Sequence, residues 1–321
     1  MKYAENIVGV IGNTPLVKLN TIAKGLKPTI FVKLEYLNPG GSMKDRIAAL
    51  MIADAERRGL LKKGGTIVEP TSGNTGAGLA MIAAVKGYKL ILVMTEKVSL
   101  EKELVLKAYG AEVVRTRGDV AADHPQYYVN LARSIAKEKG GIMLDQYNNQ
   151  ANPQAHYLTT APEIWHDTEG KITHFVATMG TGGSISGSAK YLKERNPNIK
   201  IIGVDPEGSI LHHHFNHTEG KPHAYKVEGP GKDFMPETLD MTHIDEVIVV
   251  NDQDSLDTAR ALVHYEGIFA GGSSGMAVFA ALQKAKHVTK NDIIVVILPD
   301  SGRGYLSTVY NDTWMKRNGF I

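Results

Sequence analysis

Lys44 stands in the stretch LNPGGSMKDR, Leu37 to Arg46, behind two glycines and a serine and directly before an Asp-Arg pair. Ser42 and Asp45 have S-x-x-D spacing, close to a capping box, which predicts Lys44 in the first turn of a helix. A cation there opposes the helix dipole, which prefers an acid at that end. The placement favours the neutral amine, the form of lysine that attacks carbonyls. An ordinary surface lysine, with a pKa of about 10.4, is mostly charged and inert.

Two other loops could surround that amine with anion-binding groups. In TMGTGGSISG, Thr178 to Gly187, the glycines let backbone N–H groups crowd around an anion, with hydroxyls at Thr181 and Ser184. A tight strand-to-helix turn explains the same residues. No Gly-Lys-Ser/Thr follows, so it is not a Walker A loop. Asp205 lies at the distance of a ribose-binding acid, which keeps a nucleotide-binding oxidoreductase open as an alternative. In EPTSGNTG, Glu69 to Gly76, the side chains of Thr71, Ser72, Asn74 and Thr75 offer a second nest, although helix capping by Ser72 or Asn74 alone would also account for it. A phosphate cradle plus a carboxylate-sized nest suggests a phosphorylated cofactor and an amino-acid substrate.

Loops of this kind need strands that end where they begin. Short β-branched runs at 29–35, 66–70, 89–94, 111–116, 142–147, 174–180, 199–205, 246–250 and 292–300 alternate with helical-period segments. That alternation predicts parallel sheets covered on both faces, with ligands at the carboxyl ends of the strands. There are too many strands for one comfortable sheet, so two α/β domains are expected, meeting near Tyr147–Asn152. The Met-rich helix IAALMIADAERRG keeps the apolar spacing of a core helix. LHHHFNH, 211–217, reads as a mobile surface loop rather than a metal site, because adjacent histidines cannot all face one ion.

Composition narrows the classes. The formal net charge of +2, well mixed along the chain, argues against a nucleic-acid partner or a membrane-surface role. No apolar run reaches membrane-span length and the N-terminus lacks a signal-peptide pattern, so the cytoplasm is expected. The absence of cysteine excludes disulfides, cysteine nucleophiles and thiolate metal sites.

Taken together, GGSMKDR, EPTSGNTG, GTGGS, GGSSG and LPDSG resemble the motifs of the cystathionine β-synthase and cysteine synthase family, fold-type II pyridoxal-phosphate enzymes of β-replacement. The resemblance runs from IGNTPLVKLN to the C-terminal segment, with Met43 where valine is commoner. DQYNNQANPQAHYLTTAPEI, GVDPEGSIL and YKVEGPGKDF look closer to its cystathionine-forming branch. The fold implied is a tryptophan synthase β-like pair of doubly wound α/β domains with the active site between them. Residues 40–148 would form a smaller, mobile domain, and 1–39 with 149–321 a larger one carrying the phosphate loop.

By resemblance, Lys44 forms the internal aldimine with pyridoxal 5′-phosphate, then removes and returns the α-proton. Asn74 would meet the phenolic oxygen, Gly180, Thr181, Gly182, Gly183 and Ser184 the phosphate, and Ser273 the ring nitrogen, with Pro299 and Asp300 also at the cofactor. Thr71, Ser72, Asn74, Thr75 and Gln146 would bind the substrate carboxylate, with Tyr147, Gly229 and Lys232 beside the substrate. Lys232 stands where the animal pattern has tyrosine, which opens O-acetylserine beside serine as donor. Glu228 or Asp233 would contact the homocysteine amine. The reaction implied joins L-serine or O-acetyl-L-serine to L-homocysteine through an aminoacrylate, giving cystathionine. Alternatives are a cysteine synthase using sulfide, a serine dehydratase side activity, and a catalytically idle relative, which the presence of Lys44, Asn74 and Ser273 disfavours. The resemblance also implies a homodimer and a stand-alone catalytic core in transsulfuration or cysteine biosynthesis. Its partners would be small amino-acid and thiol substrates, with no haem and no metal.

Overall fold

The computed structural model describes every residue except Lys2, Ser72, Lys97, Ser99 and Ala122, and leaves out the side chain of Glu101. The chain forms two compact units, 1–11 with 38–152, and 12–37 with 153–321. The N-terminal residues 1–11, expected with the larger unit, belong to the smaller. A short 3-10 turn, Ile7–Val10, packs there against helix 74–86 and draws them in.

In chain order the first elements are β1 (Leu16–Lys18), β2 (Thr29–Leu34), α1 (Lys44–Arg57), β3 (Thr66–Pro70) and α2 (Asn74–Lys86). Then follow β4 (Lys89–Thr95), α3 (Leu100–Ala108), β5 (Glu112–Thr116), α4 (Tyr128–Glu138) and α5 (Ala151–Ala155). A π turn at His156–Thr160 leads into α6 (Ala161–Asp167), β6 (His174–Thr178), α7 (Gly183–Arg195), β7 (Lys200–Pro206) and α8 (Leu211–Asn216). The chain closes with β8 (Glu246–Val250), α9 (Asp252–Glu266), α10 (Gly272–Ala285), β9 (Ile293–Leu298) and α11 (Asp312–Arg317).

The smaller unit is built on a parallel sheet ordered β3-β4-β5. Consecutive residues of a strand point to opposite faces, and both faces are covered. Val93 joins Ala132 and Ala136 of α4, whereas Leu92 lies against Gly76 of α2. That explains why β4 reads as an unbroken apolar run. Helix α1 buries Ile47, Ala48, Met51, Ile52 and Ala55 on one stripe, as its spacing predicts. Helix α2 stops at Gly87, whose φ of 74° is a left-handed helix end. The segment 142–147, expected as a strand, contributes only a bridge from Ile142 to Ile67. Asp145 takes a left-handed φ of 56° and turns the chain out of the ladder.

The larger unit carries a six-stranded sheet, β1-β2-β9-β6-β7-β8, parallel except for the β1–β2 pair. Helices α9 and α10 pack on one another and share a core with Val176, Ile202, Val204, Val296 and Leu298. Lys33 is wholly buried in β2, where its Nζ donates to the Thr14 carbonyl at 2.6 Å and lies 2.9 Å from Glu163 Oε2. That pairing fastens the Gly12–Thr14 loop and satisfies a cation that could not otherwise be buried.

Residues 211–217, expected as a mobile loop, instead form α8 up to Asn216, with Leu211 buried beneath it. His212 anchors the helix by donating its backbone N–H and presenting Nδ1 to Asp205 Oδ2, at 2.9 and 2.8 Å. Among the described residues no group of His, Asp or Glu is arranged to hold a metal. None of the described helices is long and apolar enough to cross a membrane.

Candidate active site

In the smaller unit, Lys44 is the first residue of α1 and partly exposed. The expected capping box is displaced. Ser42 Oγ accepts the Lys44 backbone N–H at 3.1 Å, but Met43 is the cap. Asp45 reaches past Ser42 to accept the Gly40 N–H at 2.6 Å, so its buried carboxylate staples the loop that precedes the lysine. Gly41 makes that turn with φ of 87°. Helices α1 and α2 pack through their opening turns: a Cβ on Gly78 would sit 3.1 Å from Asp45 Oδ1 and 3.2 Å from Ala48. Lys44 and Asn74, the first residues of the two helices, are thereby positioned by one helix pair.

The loop expected to form a second nest also lies within this unit. Thr75 Oγ1 donates to Gln146 Oε1 at 2.6 Å, joining residues 71 positions apart, and both side chains are buried. Thr71 is buried, and its Oγ1 accepts the Gly73 N–H at 3.5 Å. Tyr147 follows Gln146 and is half-buried. Ser72 lies outside the described residues. Sequence reading assigned no role to Glu69, yet its fully buried carboxylate accepts the backbone N–H groups of Leu144, Asp145 and Gln146. Burial raises its pKa to about 7, against the pull of those three donors. A carboxylate inside the short apolar run TIVEP was the one available signal.

In the larger unit, β6 leads through Gly180 and Thr181 to Gly182, whose φ of 84° opens α7. The cradle closes so tightly that side chains could not enter it. A Cβ on Gly180 would lie 2.7 Å from the Gly229 carbonyl oxygen, and one on Gly182 would lie 2.6 Å from Leu239 Cα. The segment 229–240 holds it from outside: Gly231 N–H donates to the Met179 carbonyl and Thr238 Oγ1 to the Thr181 carbonyl, both at 2.6 Å. With the N-terminus of a 13-residue helix behind them, residues 180–184 fit a phosphate.

Ser273 is buried in the first turn of α10, beside Gly271, whose N–H donates to the Asp300 carbonyl at 3.1 Å. Pro299 and Asp300 are buried at the end of β9. Tyr305, a second residue sequence reading passed over, donates its O–H to Asp300 Oδ2 at 2.7 Å. Burial and the neighbouring Asp300 charge raise the tyrosine well above its usual pKa, which keeps it a donor. A Cβ on Gly271 would strike both side chains, so this pair shapes the loop carrying Ser273.

Lys232 is held by its backbone: its N–H donates to Ser209 Oγ at 3.0 Å, and its carbonyl accepts the Ile210 N–H at 2.9 Å. With Gly208, His223, Tyr225, Gly231 and Asp233 it lines a cleft of about 410 Å³ within the larger unit. Gly229 has φ of 105°, and Glu228 is exposed. Asp205 cannot serve a ribose. It is wholly buried under α8 and committed to His212, and burial pushes its carboxyl upward.

Each unit by itself offers groups that suit a pyridoxal phosphate: a lysine at a helix start in the smaller, and a glycine cradle at a helix N-terminus with a buried serine at another helix start in the larger. The family model of pyridoxal-phosphate dependent enzymes matches residues 7–300, and the chain belongs to that family. Its fold is that of the fold-type II members, as two solved structures show. One, a hydrogen sulfide-producing enzyme from Fusobacterium nucleatum, is 41% identical with a TM-score of 0.88, covering 95% of this chain and 98% of its own. The other, an O-ureido-L-serine synthase, is 35% identical with a TM-score of 0.90, covering 98% and 100%. The chain is also 51% identical over its full length to the cystathionine β-synthase of Apis mellifera and 50% identical to that of Rattus norvegicus. It spans 64% and 58% of those two proteins.

Proposed function

We propose that this protein catalyses β-replacement on an amino acid, making L-cystathionine from L-serine or O-acetyl-L-serine and L-homocysteine. The observation that carries the reading is the Thr75–Gln146 contact, which brings two buried polar side chains together in the unit that bears Lys44 and supports a carboxylate site there. The identity to cystathionine β-synthases supports the choice of product.

Bound pyridoxal phosphate supplies the aldehyde that Lys44 engages and the electron sink that acidifies the substrate's Cα–H. The glycine cradle from Gly180 to Ser184 holds its phosphate. The Ser273 hydroxyl meets the ring nitrogen without giving it a full charge, and Asn74 meets the phenolic oxygen. Thr71, Ser72, Asn74, Thr75 and Gln146 hold the donor's carboxylate. The Lys44 amine would take the α-proton as the donor's Cβ–O bond breaks, releasing water from serine or acetate from O-acetylserine. The homocysteine sulfur, having lost its proton, then bonds to Cβ and Lys44 would return a proton to Cα. Tyr147, Gly229 and Lys232 border the donor and acceptor. The protein is proposed to act as a cytoplasmic homodimer without haem; the cysteine-free composition bears on the last point alone, since it offers a haem no thiolate ligand.

A second reading, release or use of sulfide as in a cysteine synthase, is favoured by the solved relative described as hydrogen sulfide-producing. Product analysis with serine or O-acetylserine against homocysteine or sulfide decides between them. Cystathionine as the main product supports the proposal. A kcat/KM for sulfide far above that for homocysteine refutes it in favour of the second reading.

A further inference from the structure

Glu69 is the penultimate residue of β3, with no exposure to solvent, two positions before Thr71. Its Oε2 accepts the N–H groups of Leu144 and Asp145 at 3.0 Å each, and its Oε1 accepts that of Gln146 at 3.1 Å. Three successive backbone donors converging on one carboxylate form an anion nest filled by the protein's own side chain. The carbonyls of the same turn are held from the other side. Asn149 Nδ2 donates to the Leu144 carbonyl and Asn152 Nδ2 to the Gln146 carbonyl, both at 2.7 Å. Gln146 then projects from a backbone fixed at both its N–H and its C=O, and its Oε1 meets Thr75. An apolar side chain would fill the end of a buried strand at less cost, since burying a carboxylate is expensive. It would leave three N–H groups without these acceptors.

We infer that Glu69 is a positioning residue for the donor amino acid: its carboxylate sets the place of Gln146, and through it of Thr75, without touching substrate. The inference rests on the proposed reading that Thr75 and Gln146 hold the donor's carboxylate.

Glu69→Gln tests it in the pyridoxal-phosphate-loaded enzyme. The amide keeps the size, but its NH2 must face at least one of the three N–H groups. The KM for serine or O-acetylserine should rise about tenfold or more. The KM for the acceptor should rise less than that for the donor, and kcat should change by less than about threefold, since Lys44 lies on α1, outside the turn. Hydrogen exchange at the Leu144, Asp145 and Gln146 amides should accelerate in the variant, and Glu69→Asp should recover part of both effects. An unchanged donor KM, or unchanged exchange at those amides, in a folded Glu69→Gln protein overturns the inference. If that variant does not fold, the wild type decides. Slow exchange at the three amides supports the nest, and fast exchange overturns it. Gln146→Ala separates the two layers of reasoning. No effect on donor KM sinks the carboxylate reading itself, whereas a raised KM there with a normal Glu69→Gln enzyme sinks only the role of Glu69.

Discussion

Replacing Gly182 with alanine tests the phosphate cradle at its narrowest point. The residue has φ of 84°, where a side chain costs about 1–2 kcal/mol. Its new Cβ would also sit 2.6 Å from Leu239 Cα, well inside the 3.4 Å at which ordinary contact begins. The obstruction is backbone, so one of the two segments must move, and overpacking of this kind costs about 1–3 kcal/mol more. The expected total is about 2–5 kcal/mol. Gly87→Ala is the control. Its φ of 74° carries the same conformational penalty, but nothing lies within 4 Å of the added Cβ. Chemical denaturation of both variants should show Gly182→Ala the less stable by about 1–3 kcal/mol. Because the displacement falls on the cradle, titration of the apoproteins with pyridoxal phosphate should show at least about tenfold weaker binding for Gly182→Ala and none for Gly87→Ala. Equal stability of the two variants would refute the steric argument. Equal cofactor affinity would refute the placing of the phosphate at Gly180–Ser184.

Other consequences can be checked directly. The pKa of Glu69, about 7 when folded against an ordinary 4.5, means that the folded state binds the proton more tightly than the unfolded one. Its contribution to stability is therefore present below pH 4.5 and lost as pH rises to about 7, a change of about 3 kcal/mol that should vanish from the unfolding free energies of Glu69→Gln. Lys44→Ala should lower kcat by at least about a thousandfold while shifting stability by less than about 1 kcal/mol, since the side chain is partly exposed. Steady-state kinetics beside a denaturation curve would show it. Tyr305→Phe removes the donor to buried Asp300 Oδ2 and should cost about 1–3 kcal/mol, with weaker cofactor binding as the Ser273 loop relaxes. An unchanged denaturation midpoint would count against that contact.

The local structure around several candidate site residues was legible because its signals are local. The glycines of 180–183 signal a tight loop at a helix start, and the structure adds what keeps side chains out of it: the Gly229 carbonyl oxygen beside Gly180 and Leu239 beside Gly182. Lys44 was placed in an opening helical turn by Ser42 and Asp45, and it begins α1. The partner of Asp45 was not legible, because a short carboxylate can cap several nearby N–H groups and only the fold of the Gly40–Gly41 turn selects one. Residues 142–147 were misread for a related reason. Their apolar content suits a strand, but Glu69, more than 70 positions away, collects the N–H groups that a ladder would need. The histidine run was misread as a loop because neither the buried Asp205 that anchors His212 nor the burial of Leu211 can be inferred from composition.

By itself the sequence determined the alternation of buried strands and covering helices, the glycine positions where no side chain fits, and the types of side chain at each strand end. Those follow from periodicity, backbone sterics and helix-start chemistry, which act over a few residues. Tertiary structure alone decided which polar groups meet: Thr75 with Gln146, Glu69 with three amides, and Asp300 with Tyr305. A buried polar group must find a partner wherever the fold supplies one, and the first two of those partners lie more than 70 residues away.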